Sequence, residues 1–172
     1  MNSQKLKTAW VDTPIGRLTL MYEDSPLLLK RILLPGEGKN PSDQELFPDD
    51  GRPAPAELAR MVIDSLNGVQ FQLPWDSLSW EGITSLQQMV YVQTAAIPYG
   101  SLATYGEIAE RIGRPKACRF VGSALAKNPF PILIPCHRVI RSDNKLGGFG
   151  GGVVLKRLLI DFEAKQAGID NG

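Results

Sequence analysis

The second half of this chain carries its own start and stop signals, and they constrain its architecture more tightly than any other feature of the sequence. Thr84-x-x-Gln87 and Thr104-x-x-Glu107 are capping boxes, in which a threonine hydroxyl and a Gln or Glu side chain satisfy the free N–H groups of a first helical turn. The first box opens a helix through Ala96, closed by Pro98-Tyr99-Gly100. The second opens a short helix with Ile108, Ala109 and Ile112 on one face, closed by Gly113. Arg114-Pro115 turns the chain into a third helix, Lys116 to Lys127, with Ala117, Phe120, Val121, Ala124 and Leu125 at core spacing. Asn128-Pro129 ends it, and Ile132-Leu133-Ile134 predicts a buried strand. A short capped helix, a tight turn and a helix opening on basic residues form the pattern of a helix-turn-helix.

The first half follows a different period. Leu6 to Val11, Arg17 to Tyr22 and Leu27 to Leu34 are strand-like runs separated by Thr13-Pro14-Ile15-Gly16 and Glu23-Asp24-Ser25-Pro26, which predicts an antiparallel meander. Pro35 to Pro55, with five prolines and three glycines, is expected to be a loop or mobile segment. Ala56 to Asn67 sets Leu58, Val62 and Leu66 on one helical face before Gly68 stops it, and Val69 to Leu73 alternates like a strand. Nothing in these residues carries chemistry. The expected organisation is a scaffold domain over residues 1–82 and a functional domain over 83–172, joined through Trp75 to Trp80.

A chain of 172 residues with 43% hydrophobic content buries a core without staples. No apolar run approaches the ~18 residues of a membrane span and no signal peptide opens the chain, so a cytoplasmic location without membrane contact is expected. Its net charge of +1 conceals a division, −4 over residues 1–82 and +5 over 83–172, with ten basic residues and one acid between Arg111 and Arg157. A polyanionic partner fits that half. Two cysteines, Cys118 and Cys136, and a single His137 supply neither a disulfide framework nor a four-ligand zinc site.

The chemistry concentrates at Pro135-Cys136-His137-Arg138. A buried cysteine is ordinarily an inert small hydrophobe, whereas an adjacent Arg138 or a helix terminus lowers a thiol's pKa. In an extended segment Cys136 and His137 point to opposite sides, so proton transfer between them needs a local turn or a bridging water. The run Gly147-Gly148-Phe149-Gly150-Gly151-Gly152 matches neither phosphate-loop pattern, and no nucleotide cofactor is expected.

Residues 83–168 resemble the O6-alkylguanine-DNA alkyltransferases, the methylated-DNA–protein-cysteine methyltransferases. The likeness runs through Thr104-Tyr105-Gly106-Glu107-Ile108-Ala109, Arg114-Pro115-Lys116-Ala117-Cys118-Arg119-Phe120-Val121-Gly122, Asn128-Pro129-x-Pro131-Ile132-Leu133-Ile134-Pro135-Cys136-His137-Arg138-Val139, the glycine-rich Leu146 to Gly152, and Leu155-Lys156 to Glu163. The first 82 residues match only in size and in the expected small αβ domain. The fold implied is α+β: a ribonuclease H-like N-terminal domain with an antiparallel sheet, then a mostly helical, winged-helix-like domain with the helix-turn-helix.

The function implied is DNA repair by irreversible, single-turnover transfer of a methyl or alkyl group from O6-alkylguanine to Cys136, after the base is flipped from double-stranded DNA; O4-alkylthymine is a further candidate substrate. Displacement at saturated carbon needs a soft, strong nucleophile, which a thiolate is. By the resemblance His137 is the base acting through water, Glu163 orients it, Tyr105 donates to the leaving group and Asn128 ties the turn that aims Cys136. Arg119 fills the gap left by the flipped base, and Thr104, Arg114, Lys116, Ala117, Cys118 and Gly122 complete a face for the minor groove. Pro135, Val139, Phe149, Gly150 and Gly151 line the base pocket. No metal is implied, and the protein acts as a monomer, with cooperative assembly along DNA left open. Cys118 stands where alanine is expected, Phe149 where tyrosine is frequent and Gly150 where some members carry serine. Two other readings are a non-catalytic DNA-binding sensor, against which the intact Cys136 speaks, and a Cys-His hydrolase, for which no nucleophile elbow or papain-like context is present.

Overall fold

Alternating apolar and polar side chains give the N-terminal half a sheet with one covered face. β1 (Lys7–Thr13), β2 (Gly16–Asp24) and β3 (Leu27–Leu33) form an antiparallel meander in that order, with Thr13 opposite Gly16 and Asp24 opposite Leu27. The computed structural model describes residues 5–37 and 51–169. Gly16, at φ +112°, makes the first turn possible, and the Thr13 hydroxyl locks it by donating to the Gly16 carbonyl at 2.6 Å. Leu18, Leu20, Leu29 and Ile32 point inward and share a core with Leu58, Met61, Val62 and Leu66 of α1 (Ala56–Leu66). Residues 38–50 of the expected loop lie outside the described residues. Its end is not loose: Trp10 donates to the Arg52 carbonyl and accepts from the Ala54 N–H, covering the free edge of β1.

Val69 to Leu73 does not form the expected strand. Val69 and Phe71 are 51% and 39% exposed, so the alternation has no sheet to bury its apolar side.

Both capping boxes form as predicted. Thr84 caps α2 (Ser85–Ala95) and Thr104 caps α3 (Tyr105–Arg111), with the Gln87 and Glu107 side chains returning to the cap N–H groups at 2.9 and 2.6 Å. α4 (Cys118–Ala126) starts later than the sequence predicts: Arg114 to Ala117 forms a turn closed by the Ala117 N–H on the Arg114 carbonyl, and Lys116 lies in that turn. β4 (Ala103–Thr104) pairs in parallel with β5 (Val139–Ile140), and α5 (Gly152–Gln166) closes the domain.

Ile132-Leu133-Ile134 is a turn, not a strand. Ile132 has φ +77°, a left-handed conformation that no strand residue adopts and that a β-branched side chain resists. The halves are joined by backbone as well as side chains: the Ile32 N–H donates to Pro129 at 2.8 Å, while the Ser79 N–H donates to Leu29 at 2.8 Å and ties the end of the first half to β3. Trp80 stacks on Trp75 and meets Phe130 edge-on across this seam. The buried apolar residues of both halves form one continuous cluster.

Candidate active site

The turn that replaces the expected strand is held by Asn128. Its carboxamide accepts the Phe130 N–H at 3.0 Å and donates to the Ile134 carbonyl at 2.9 Å, bridging both ends of the strained segment. Pro135 then leads into a single 3-10 turn, Cys136–Arg138, the local turn that the sequence argument required. Three consecutive side chains, Cys136, His137 and Arg138, are buried there with 8%, 1% and 7% exposure.

Glu163 of α5 receives two of them. His137 Nε2 lies 2.6 Å from Oε1, Arg138 Nε and Nη2 donate to Oε2 and Oε1 at 2.8 and 3.0 Å, and the Gly100 N–H adds a contact at 3.2 Å. The remaining guanidinium nitrogen donates to the Ile97 carbonyl at 2.7 Å. Burial disfavours the carboxylate, but the hydrogen bonds and charges of His137 and Arg138 outweigh it and hold Glu163 down to about 2. An ionised Glu163 can only accept, so Nε2 carries the proton and donates to it, which leaves Nδ1 of His137 as an acceptor. It is the one buried side-chain nitrogen or oxygen among the described residues with no hydrogen-bond partner.

Burial pushes the Cys136 thiol up, opposed by a hydrogen bond from Asn128 and the charge of Lys156. Burial also lowers His137, helped by the charges of Arg138 and Lys156 and opposed by the hydrogen bond and charge of Glu163. At neutral pH the resting pair is therefore thiol and neutral imidazole. Cys136 lines a cavity of about 280 Å³ with Asn128, Phe149, Gly150 and Glu37, and an adjoining one of about 200 Å³ with Gly122, Gly148, Phe149 and Gly150. A larger hollow of about 640 Å³ lies behind Pro135 and Arg138 and does not reach the sulfur.

Most of the expected site residues converge here. Phe149 meets the His137 ring edge-on at 6.3 Å, and Val139 is fully buried. Tyr105 lies against Gly147, where an added Cβ would come within 2.8 Å of its hydroxyl, so the glycine is what admits the ring. Gly151 has no room for a side chain between Leu155, Leu34 and Phe149. Arg114, Lys116, Cys118 and Arg119 are exposed on one stretch at the start of α4, with Ala117 and Gly122 half-buried. Thr104 is engaged in its cap.

Two residues were not singled out from sequence. Lys156 is fully buried and donates to the carbonyls of Val139 at 2.6 Å, Leu146, and Gly148 at 3.3 Å, pinning the glycine-rich loop to β5. Burial brings it down to about 8, still protonated at neutral pH. A signal for it existed: Lys156 and Glu163 are the charged positions of the buried stripe Leu155, Lys156, Leu159, Ile160, Glu163, Ala164. The second is Glu37, which lines the Cys136 cavity from the half expected to be pure scaffold.

A buried cysteine next in sequence to a carboxylate-bound histidine, with an exposed basic helix start in the same half of the chain, fits a cysteine-dependent group-transfer protein acting on a large polyanion. The family model for the DNA-binding domain of 6-O-methylguanine DNA methyltransferase matches residues 85–165. A methylated-DNA–protein-cysteine methyltransferase of Mycobacterium bovis is 39% identical over 166 residues, 93% of each chain. The crystal structure of the Mycobacterium tuberculosis O6-methylguanine methyltransferase superposes with a TM-score of 0.75 at 34% identity over 94% of each chain. That of Mycobacterium tuberculosis OGT in complex with DNA gives 0.74 at 35% identity, covering 93% of this chain and 94% of the other. The chain belongs to the methylated-DNA–protein-cysteine methyltransferase family, enzymes of DNA repair by alkyl transfer.

Proposed function

We propose that Cys136 is the acceptor in a single-use transfer of an alkyl group from guanine O6 of double-stranded DNA. The observation that carries the reading is a buried cysteine on a cavity wall, next in sequence to a histidine with one ring nitrogen bound to Glu163 and the other unpartnered. Attack by sulfur on the alkyl carbon forms the S–C bond and breaks C–O6, the electron pair staying on O6. The thiol proton passes through a bridging water to Nδ1 of His137, Glu163 stabilises the imidazolium, and the Tyr105 hydroxyl donates toward the departing guanine. A thioether offers water no good leaving group, so one molecule reacts once.

The DNA reading rests on the exposed run Arg114, Lys116, Cys118 and Arg119 and on the small residues beside it. Arg119 fills the gap of the extruded base, Ala117, Cys118 and Gly122 approach the minor groove with Thr104 at its edge, and Pro135, Val139, Phe149, Gly150 and Gly151 hold the base. Phe149 and Gly150 bear on which alkyl groups fit, and O4-alkylthymine belongs to the same proposal. So do the finer fold readings: a ribonuclease H-like domain over residues 1–82, a winged-helix-like domain over 83–172, a monomer on DNA and a cytoplasmic location. Among the described residues no helix is long and apolar enough to cross a membrane.

Incubation with duplex carrying O6-methylguanine, followed by mass spectrometry, tests the central step. One methyl in place of one hydrogen, located on the Cys136 peptide and absent in Cys136→Ala, is expected; a modified Cys136→Ala protein would sink the assignment.

A further inference from the structure

The acceptor cavity has a wall from outside the C-terminal half. The turn after β3 brings Glu37 against the glycine-rich loop and ties it there. Its Oε2 accepts the Leu34 N–H at 2.8 Å, its own N–H returns to the Leu34 carbonyl at 3.0 Å, and Oε1 lies 3.0 Å from where a Cβ on Gly150 would stand. The carboxylate is half-buried and held by a closed turn. Arg31 and Lys127 also line this cavity, and both are exposed, so solvent screens their charges. The charges that act on Cys136 are those of Lys156 and Glu37. Of the two cavities that Cys136 lines, the larger is bounded by Asn128, Phe149, Gly150 and Glu37 and gives a substituent on guanine O6 room beside the sulfur.

We propose that Glu37 makes the acceptor pocket select O6 substituents by charge, disfavouring adducts that carry a carboxylate against neutral adducts of the same shape. This rests on Cys136 being the alkyl acceptor. The bond changes are the same for either adduct: Sγ–CH₂ forms, O6–CH₂ breaks, the electron pair stays on guanine O6, and the thiol proton goes to His137. What differs is the approach of a second carboxylate to Glu37 and Lys156, and Glu37→Gln removes the repulsion while leaving the charge of Lys156 the same. Two like charges about 6 Å apart in a partly solvated pocket slow the anionic adduct about tenfold.

The test uses the full-length protein and duplexes that differ only at one guanine: O6-methyl, O6-carboxymethyl and O6-carbamoylmethyl. The last two are matched in shape, and both activate the reacting carbon through a neighbouring carbonyl. Single-turnover rates of wild type are expected to favour carbamoylmethyl over carboxymethyl about tenfold. In Glu37→Gln that ratio falls about tenfold, and Glu37→Lys carries it further in the same direction. Because the ratio is internal to each protein, a general change in activity cancels. The same wild-type and Glu37→Gln ratios would overturn the proposal, as would a wild-type ratio near one, which needs no variant to fold. Absence of methyl transfer to Cys136 in wild type overturns the acceptor reading instead, so the two failures are distinct.

Discussion

At the scale of single residues, the site depends on charges that burial would ordinarily forbid. Glu163 shows how the balance closes: removing one partner leaves another charge uncompensated in the interior, which costs more than the pair contributes. The acid side of the stability curve follows. Glu163 is depressed from 4.5 to about 2, so its contribution, about 3 kcal/mol, is complete above pH 4.5 and is lost as pH falls from there toward 2. His137 is depressed from 6.5, so below that value the unfolded chain takes up a proton that the folded one refuses, and stability starts to fall earlier. The thermal midpoint should decline from about pH 6.5 and more steeply below 4.5; in Glu163→Gln the steep limb disappears and the neutral-pH midpoint is lower. A steep limb unchanged in the variant would show that other carboxylates carry the acid sensitivity. For Lys156, replacement by Met frees three carbonyls of the loop and β5. Misplacing the loop by about 1 Å is expected to slow alkyl transfer up to about 100-fold, with far-UV circular dichroism unchanged; a normal single-turnover rate would contradict this.

At the scale of elements, legibility in the sequence tracked how local each determinant is. Capping boxes are complete within four residues, so α2 and α3 begin where the sequence places them. Thr104→Ala removes one reciprocal cap and should lower stability by about 1 kcal/mol in denaturant titration; an unchanged midpoint would mean that packing alone fixes the start of α3. The beginning of α4 has no such signal, since Ala117 has no side chain to cap with, and the expected start at Lys116 fell too early. Ile132 to Ile134 misled for a different reason. Three apolar residues look the same buried in a turn as in a strand, and only the Asn128 carboxamide, which bonds across six residues, decides between them. Cys136, His137 and Glu163 could be named from a family resemblance, while Glu37 depends on a contact across more than a hundred residues that no local pattern encodes.

At the scale of the whole molecule, the boundary that the sequence suggests near residue 82 does not divide the core. The backbone hydrogen bond from Ile32 to Pro129, the Trp80–Phe130 contact and the shared apolar cluster tie the sheet to the acceptor turn. Unfolding by guanidinium should therefore be a single transition, with tryptophan fluorescence and far-UV circular dichroism superimposing; separated midpoints would show that the halves unfold as independent units. A buried thiol that reacts once gives this cooperativity a chemical readout. Because the proposed transfer needs Glu163 of α5 on His137 and the Asn128 turn under Cys136 at the same time, each methyl retained by a sample tallies one chain that was correctly folded when DNA arrived. The stoichiometry of transfer is thus a census of native molecules, and along a denaturant series it should trace the same curve as the spectroscopic probes.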